Sequence, residues 1–174
     1  GGKDSSCVVK LCEMAGVKFD AHYNATTIDP PQLVRFIRQN HPKTETEKPE
    51  YTMRELIVKK QMPPTRLMRY CCQHLKELHG KGRVVVTGVR WAESGNRKNN
   101  QGLVTFTTAS KELNNAADLS GAEPNRTSKN GLILNTDNDE SRRMVEMCYR
   151  THKTLVNPII DWTDEDVWEF IRLC

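Results

Sequence analysis

Gly1, Gly2, Lys3, Asp4 and Ser5 stand directly before Val8, Leu11, Cys12 and Ala15, which keep the i, i+3, i+4, i+7 spacing of a helix with one buried face. Glycines let a backbone approach a ligand closely, and a helix start offers unpaired N–H groups at the positive end of its dipole. Together they make an anion site, with phosphate the usual anion. A glycine-rich helix start without a ligand is the plainer alternative. A second group follows the strand-like run "RVVVTG". There Gly88 permits close backbone approach, and Arg90 can grip a phosphate or sulfate through two N–H groups. Glu93 can balance that arginine or bind a ribose hydroxyl, unless the two form only an exposed ion pair. Thr27, in the segment Thr26 to Asp29 at the end of an earlier strand, is placed to touch a nucleotide or an acceptor. Cys71 and Cys72, adjacent on a helix, point ~100° apart and do not easily bridge one another. Both could face one metal cluster, or simply pack in an apolar interior.

The elements that must position these residues are legible in outline. The first helix ends at Gly16, a natural residue for the left-handed turn past a helix end. Val17, Phe19, Ala21 and Tyr23 alternate as a strand does, and a helix over 32–39 turns Leu33, Val34, Phe36 and Ile37 inward. Thr52 and Glu55 predict a capping box before Met53, Leu56 and Ile57, and Pro63-Pro64 ends that helix. A further helix spans about 65–79, with Gly80 and Gly82 after it. The apolar run Arg83 to Thr87 reads as a buried parallel strand with Arg90 beyond its carboxyl end.

Residues 95–137 are polar, with only "LVTF" and "LIL" able to pair as short strands, and read as a long insertion. A helix is expected over 139–149, then the extended "LVNPIIDW", then a last helix capped by Thr163 with Asp166 at its third position and Trp162 against Val167. Asp161 stands close to where a nucleotide would lie. Alternating helices and buried strands predict an α/β fold, Rossmann-like and three-layered, with a parallel central sheet and ligands at the strands' carboxyl ends. The strand feeding the first loop is expected upstream of Gly1, and the apolar face of the last helix is expected to run on past Cys174. On this reading the 174 residues form a single domain, cut at both ends.

The net charge of +4 is spread rather than clustered, which suits a solvated surface and also an anionic small molecule. Nucleic acid is the alternative partner, with Arg97, Lys98, Lys111, Arg126 and Lys129 as its contacts. No run approaches the ~20 apolar residues that a membrane span needs, and no signal peptide is read in these residues. The six cysteines lie mostly in helical patterns, which fits reduced thiols and a cytoplasmic protein better than a disulfide scaffold. The sequons at Asn24 and Asn125 then carry no meaning.

"GGKDS" lacks the GxxxxGK[ST] spacing of kinase-type phosphate loops. It resembles instead the PP-loop of the adenine-nucleotide α-hydrolase-like enzymes. "RYCCQHLKE", "VTGVRWAES" and "NPIIDWTDEDVW" follow in the order found in the phosphoadenosine phosphosulfate (PAPS) reductase family, so the resemblance spans nearly the whole chain. It implies that the backbone at Gly1 and Gly2, the Lys3 ammonium and the Ser5 hydroxyl hold phosphate oxygens, while Asp4 shapes the loop or places Mg²⁺. It implies ATP or PAPS as the nucleotide, with Lys3 and Arg90 catalytic through electrostatic stabilisation, in sulfur transfer or sulfonucleotide reduction.

Cluster-bearing members join a Cys-Cys pair to a later Cys-x-x-Cys. That second motif does not occur here, so Cys71 and Cys72 are half of a [4Fe–4S] site at most, completed only in a longer protein. The intact Lys3-Asp4 pair looks more like members that split ATP between its α- and β-phosphates, among them sulfurtransferases and enzymes of DNA phosphorothioation. The reductases' tail cysteine is not among these residues, and they usually read differently at Thr26 to Asp29. The sulfur donor or acceptor is left open. A non-catalytic nucleotide- or nucleic-acid-binding module is the alternative of another class, and a homodimer is the candidate assembly.

Overall fold

The computed structural model describes residues 2–65, 68, 70–75, 82–107, 126–128, 131–135 and 153–174. The expected helix over 139–149, most of the end of the helix over 65–79, and residues 108–125 of the polar segment lie outside them. The chain divides into two compact units, one of residues 1–2 and 12–79, the other of residues 3–11 and 80–174. Helix α1 (Lys3–Met14) contributes to both. Its apolar positions Cys7, Val8 and Cys12 are buried, as the spacing requires. Gly16 ends it with φ +64° and donates to the Glu13 carbonyl at 3.0 Å. A side chain there would be strained, which is why glycine closes the helix.

In the first unit, β1 (His22–Asn24) and β2 (Glu45–Glu47) pair in parallel, with His22 opposite Glu45. A parallel pair needs a crossover, and α2 (Pro31–Asn40) supplies it with proline in its first turn. Ile37 is buried on α2, whereas Phe36 is exposed and meets His41 edge-on instead of turning inward. The expected strand from Val17 is also shorter than its alternation suggests: Val17 and Phe19 are exposed, and pairing starts only where Glu45 donates to the Ala21 carbonyl. Upstream of Ala21 no described strand lies alongside, and alternation without a partner strand does not make a sheet. Helix α3 (Met53–Lys60) begins with the predicted Thr52–Glu55 capping box. Met53 and Leu56 pack with Leu75 of α4 (Tyr70–Leu75), and Tyr51, Ile57, Tyr70 and Cys71 lie against them.

The second unit holds β3 (Val84–Val86), β4 (Val104–Thr107), β5 (Arg126–Ser128), β6 (Gly131–Leu134) and β7 (Lys153–Val156) in the order β3-β7-β4-β6-β5. β3 and β7 are parallel, and the other pairs are antiparallel. The fold is thus of the expected α/β class with parallel pairing in both sheets, yet this sheet is mixed rather than wholly parallel.

Two finer expectations are corrected here. Among the described residues β1 and β3 belong to different sheets and β3 lies at the edge of its own, with Val84 and Val86 exposed despite the apolar run. The polar segment, read as an insertion, supplies central strands: "LVTF" and "LIL" pair as β4 and β6, and Phe106, Leu132, Ile133 and Leu134 are all buried. The two short apolar runs pair as expected, and what the polarity of the surrounding residues does not tell is that they lie inside the sheet. Helix α5 (Gly95–Asn100), capped by Ser94, opens the same segment.

Asn157 locks the site end of this sheet. Its N–H donates to Leu103 O at 2.8 Å, its Nδ2 donates to Gly102 O at 2.7 Å, and its Oδ1 accepts from the Thr87 hydroxyl. Gly102 must be glycine, since a Cβ there would stand 2.2 Å from Ile133 Cγ2. Helix α6 (Asp164–Leu173) opens with the predicted Thr163–Asp166 capping box and buries Val167. Trp162 meets Phe170 edge-on at 5.3 Å.

Candidate functional site

Beyond β3 the chain passes Thr87, whose N–H is held by Val156 O at 2.9 Å, and reaches Gly88. A Cβ on Gly88 would lie 3.0 Å from the Asp4 carbonyl carbon and 3.1 Å from its Cβ and O. The close approach expected at Gly88 is therefore made by the first turn of α1. Two residues later Arg90 is buried, with only 3% of its side chain exposed. Its Nε donates to Asp4 Oδ1 at 2.7 Å, its Nη2 to Asp164 Oδ1 at 2.8 Å and its Nη1 to the Trp162 carbonyl at 3.2 Å. Three faces of the guanidinium fork are thereby fixed by α1, by the first residue of α6, and by the turn before it. Lys3 Nζ completes the group, at 2.6 Å from Asp164 Oδ1 and 3.3 Å from Asp4 Oδ1.

Two cations and two carboxylates alternate here. Burial opposes the Arg90 charge, but Asp164 and Asp4 outweigh it and raise its pKa. The Asp164 hydrogen bond raises the Lys3 pKa against a smaller opposing effect of burial, with Asp4 adding to it. Asp164 is held below the usual carboxylate range, first by Lys3 and then by Arg90. Glu93 sits at the edge. Its carboxylate accepts the Arg90 backbone N–H at 3.1 Å and pairs with Arg97 one helical turn on, so the ion pair expected between Arg90 and Glu93 side chains is replaced by these two contacts.

Lys3, Asp4, Gly88, Arg90 and Glu93 of the sequence-predicted set therefore converge. Ser5 is exposed on the first turn of α1, Gly2 is exposed directly ahead of it, and Gly1 lies outside the described residues. Thr27 belongs to the first unit, where its φ is +64° and its Oγ1 accepts the Met53 N–H at 2.9 Å. Nearby, Asp29 accepts from the Thr26 N–H at 2.8 Å and from the Tyr23 hydroxyl at 2.5 Å. Burial and that carboxylate push the Tyr23 phenol up to about 12. Asp161 is exposed.

Cys71 and Cys72 are half-buried in the first unit and form no disulfide, and Cys71 packs against the cluster of Met53, Leu56 and Leu75. They supply two of the four thiolates that a [4Fe–4S] cluster needs. Among the described residues, neither joins a group of three metal-ligating side chains. A cluster does not fit these residues. Mg²⁺ at Asp4 Oδ1 fits poorly as well, because Arg90 and Lys3 already approach that oxygen. Of the basic residues considered for nucleic acid, Arg97 is paired with Glu93, Arg126 lies on β5, and Lys111 and Lys129 lie outside the described residues.

Sequence reasoning missed Asp164 and the Trp162 carbonyl. In "DWTDED" an aspartate just past a capping threonine reads as ordinary dipole compensation, and only its partners reveal more. A second cluster, in the first unit, was also missed. His22 Nε2 lies 2.7 Å from Asp20 Oδ2, and its Nδ1 lies 3.1 Å from Glu47 Oε1 and 3.8 Å from Glu45 Oε2. Glu45 and Glu47 share one face of β2, and Asp20 stands just before β1, but nothing local says that His22 meets all three.

Among the described residues no helix is long and apolar enough to cross a membrane. A family model described as the phosphoadenosine phosphosulfate reductase domain matches residues 1–173. Comparisons with curated proteins and with solved structures return no match.

Proposed function

The chain belongs to the phosphoadenosine phosphosulfate reductase family, and from that premise we propose that it is an enzyme domain binding an adenine nucleotide, ATP or a phosphosulfate nucleotide, for sulfur transfer or sulfonucleotide reduction. One observation carries the anion-binding part. Lys3 and Arg90, far apart in sequence, both donate to a single oxygen, Asp164 Oδ1. Two cations meeting at one oxygen beside the start of a helix describe a seat for a phosphoryl or sulfuryl oxygen.

In this reading the two cations have different tasks. Arg90 is the fixed charge, held by Asp4 and by the Trp162 carbonyl. Lys3 is the more exposed charge and meets the incoming anion. Stabilising negative charge on a departing pyrophosphate or sulfonucleotide oxygen is what such preset donors do without reorganising. A cytoplasmic location belongs to the same reading, supported by the lack of a disulfide at Cys7, Cys12, Cys71, Cys72 and Cys174 among the described residues.

Calorimetric titration of ATP, PAPS and adenosine phosphosulfate into the wild type and Lys3→Ala tests this. Loss of a charge-assisted hydrogen bond should weaken binding of the preferred nucleotide by about 1.5–3 kcal/mol. The melting temperature should hardly move, because the ion pairs of Lys3 reach partly exposed partners and are worth less than about 1 kcal/mol in stability. If no nucleotide binds the wild type, the reading fails. Equal losses of binding and stability would instead make Lys3 structural.

A further inference from the structure

We propose that Asp164 is an internal stand-in for the ligand's anion, which a phosphoryl oxygen of the incoming ligand displaces. The inference rests on the nucleotide reading above and adds to it what controls the seat. Asp164 Oδ1 accepts from Lys3 Nζ at 2.6 Å and from Arg90 Nη2 at 2.8 Å, and unlike Asp4, the other carboxylate both cations reach, it is largely exposed. It thus stands where an oxygen of a bound phosphate would be gripped by the same two donors.

Three features let it leave. Its side chain is 69% exposed, so it can turn into water without losing a buried environment. The start of α6 does not need it, since Thr163 and Asp166 form the capping box and Glu165 and Asp166 keep negative charge in the first turn. Arg90 does not follow it out, because Asp4 still holds Nε and the Trp162 carbonyl still holds Nη1. Release of Asp164 therefore frees two donors that remain in place.

A carboxylate already in the seat also filters ligands. An incoming group must offer Lys3 and Arg90 more than a single carboxylate charge does, which favours pyrophosphate and other multiply charged phosphoryl groups over carboxylates.

The test measures binding of inorganic pyrophosphate and of ATP to wild type, Asp164→Asn and Asp164→Ala, each also in a Lys3→Met background. Both Asp164 variants should bind pyrophosphate about three- to tenfold more tightly, the scale set by exchanging exposed ion pairs. The gain should vanish with Lys3→Met. Variants that bind while the wild type does not would support the inference in its strongest form. Wild-type binding that the variants leave unchanged would overturn it and leave the nucleotide reading standing. Weaker binding by both variants would also overturn it, making Asp164 a group that positions Lys3. If none of the proteins binds either ligand, the nucleotide reading falls and this inference falls with it.

Discussion

Among the described residues each unit holds a cluster in which carboxylates surround a basic group. In the second unit the centre is Arg90, a permanent cation with 3% of its side chain exposed, bonded to Asp4 and Asp164. In the first unit the centre is His22, on a two-stranded ribbon, facing Asp20, Glu45 and Glu47. Like carboxylates serve different ends in the two places. Around a buried guanidinium they fix geometry, because an arginine cannot shed its charge and must keep its partners. Around an imidazole near the surface they move a titration, because the histidine can lose its proton whenever the pH permits.

The largest expected difference is in stability. Arg90→Met should cost about 2–3 kcal/mol, below the usual toll for breaking a fully buried ion pair because Asp164 can hydrate. His22→Gln should cost less than about 1 kcal/mol, as exposed pairs do. Urea denaturation of both variants checks this, and equal losses would show that burial does not separate the two clusters.

Gly88→Ala sharpens the comparison by leaving every charge in place. The added Cβ would meet the Asp4 backbone at 3.0 Å, so the first turn of α1 must give by a few tenths of an ångström. A destabilisation of about 1–2 kcal/mol is expected, with weaker nucleotide binding beside it, since overpacking moves the Asp4–Arg90 contact. If stability and binding both match the wild type, the first turn of α1 is more yielding than its contacts imply.

The smallest effect is one of pH, and here the clusters part in sign. The hydrogen bond with Asp20 raises the His22 pKa, with burial opposing it and Glu47 and Glu45 adding to it. The stability His22 contributes is therefore fully present below its unfolded value of about 6.5, and is lost as pH rises through the higher folded value. Asp164, lowered by Lys3 and then Arg90, behaves in the opposite way. Its contribution is present above the unfolded carboxylate value of about 3.9, and is lost as pH falls through the folded one. Between pH 6 and 8 only the histidine cluster should respond. Following the His22 ring proton by NMR should give a pKa above about 6.5. His22→Gln should flatten the dependence of stability on pH in that range, and a slope that survives the substitution would assign it to another group.

Local chemistry made the frame of these clusters readable in the sequence. The capping boxes Thr52–Glu55 and Thr163–Asp166, the turn at Gly16 and the buried face of α1 all follow from residues within a few positions of one another. The expectation of an anion site at the first five residues draws on the same range, since glycines, a lysine and a helix start act over a single turn. Lys3, Asp4, Gly88, Arg90 and Glu93 could be named as one set because the family resemblance joined segments that spacing alone does not.

What they do to one another could not be read that way. Asp164 was indistinguishable from any acidic residue in a first helical turn until Lys3 and Arg90 were found on the same oxygen. His22 and Glu47 are ordinary surface residues until β1 and β2 pair in parallel. The sequence marked "LVTF" and "LIL" as able to pair, but not that they would lie inside the sheet as β4 and β6, because a short strand's place is fixed by the neighbours it pairs with more than by its own composition. Capping and periodicity act within about one turn of chain and are written into the sequence. Charge pairing and strand order act across space between distant segments, so only the folded chain decides them.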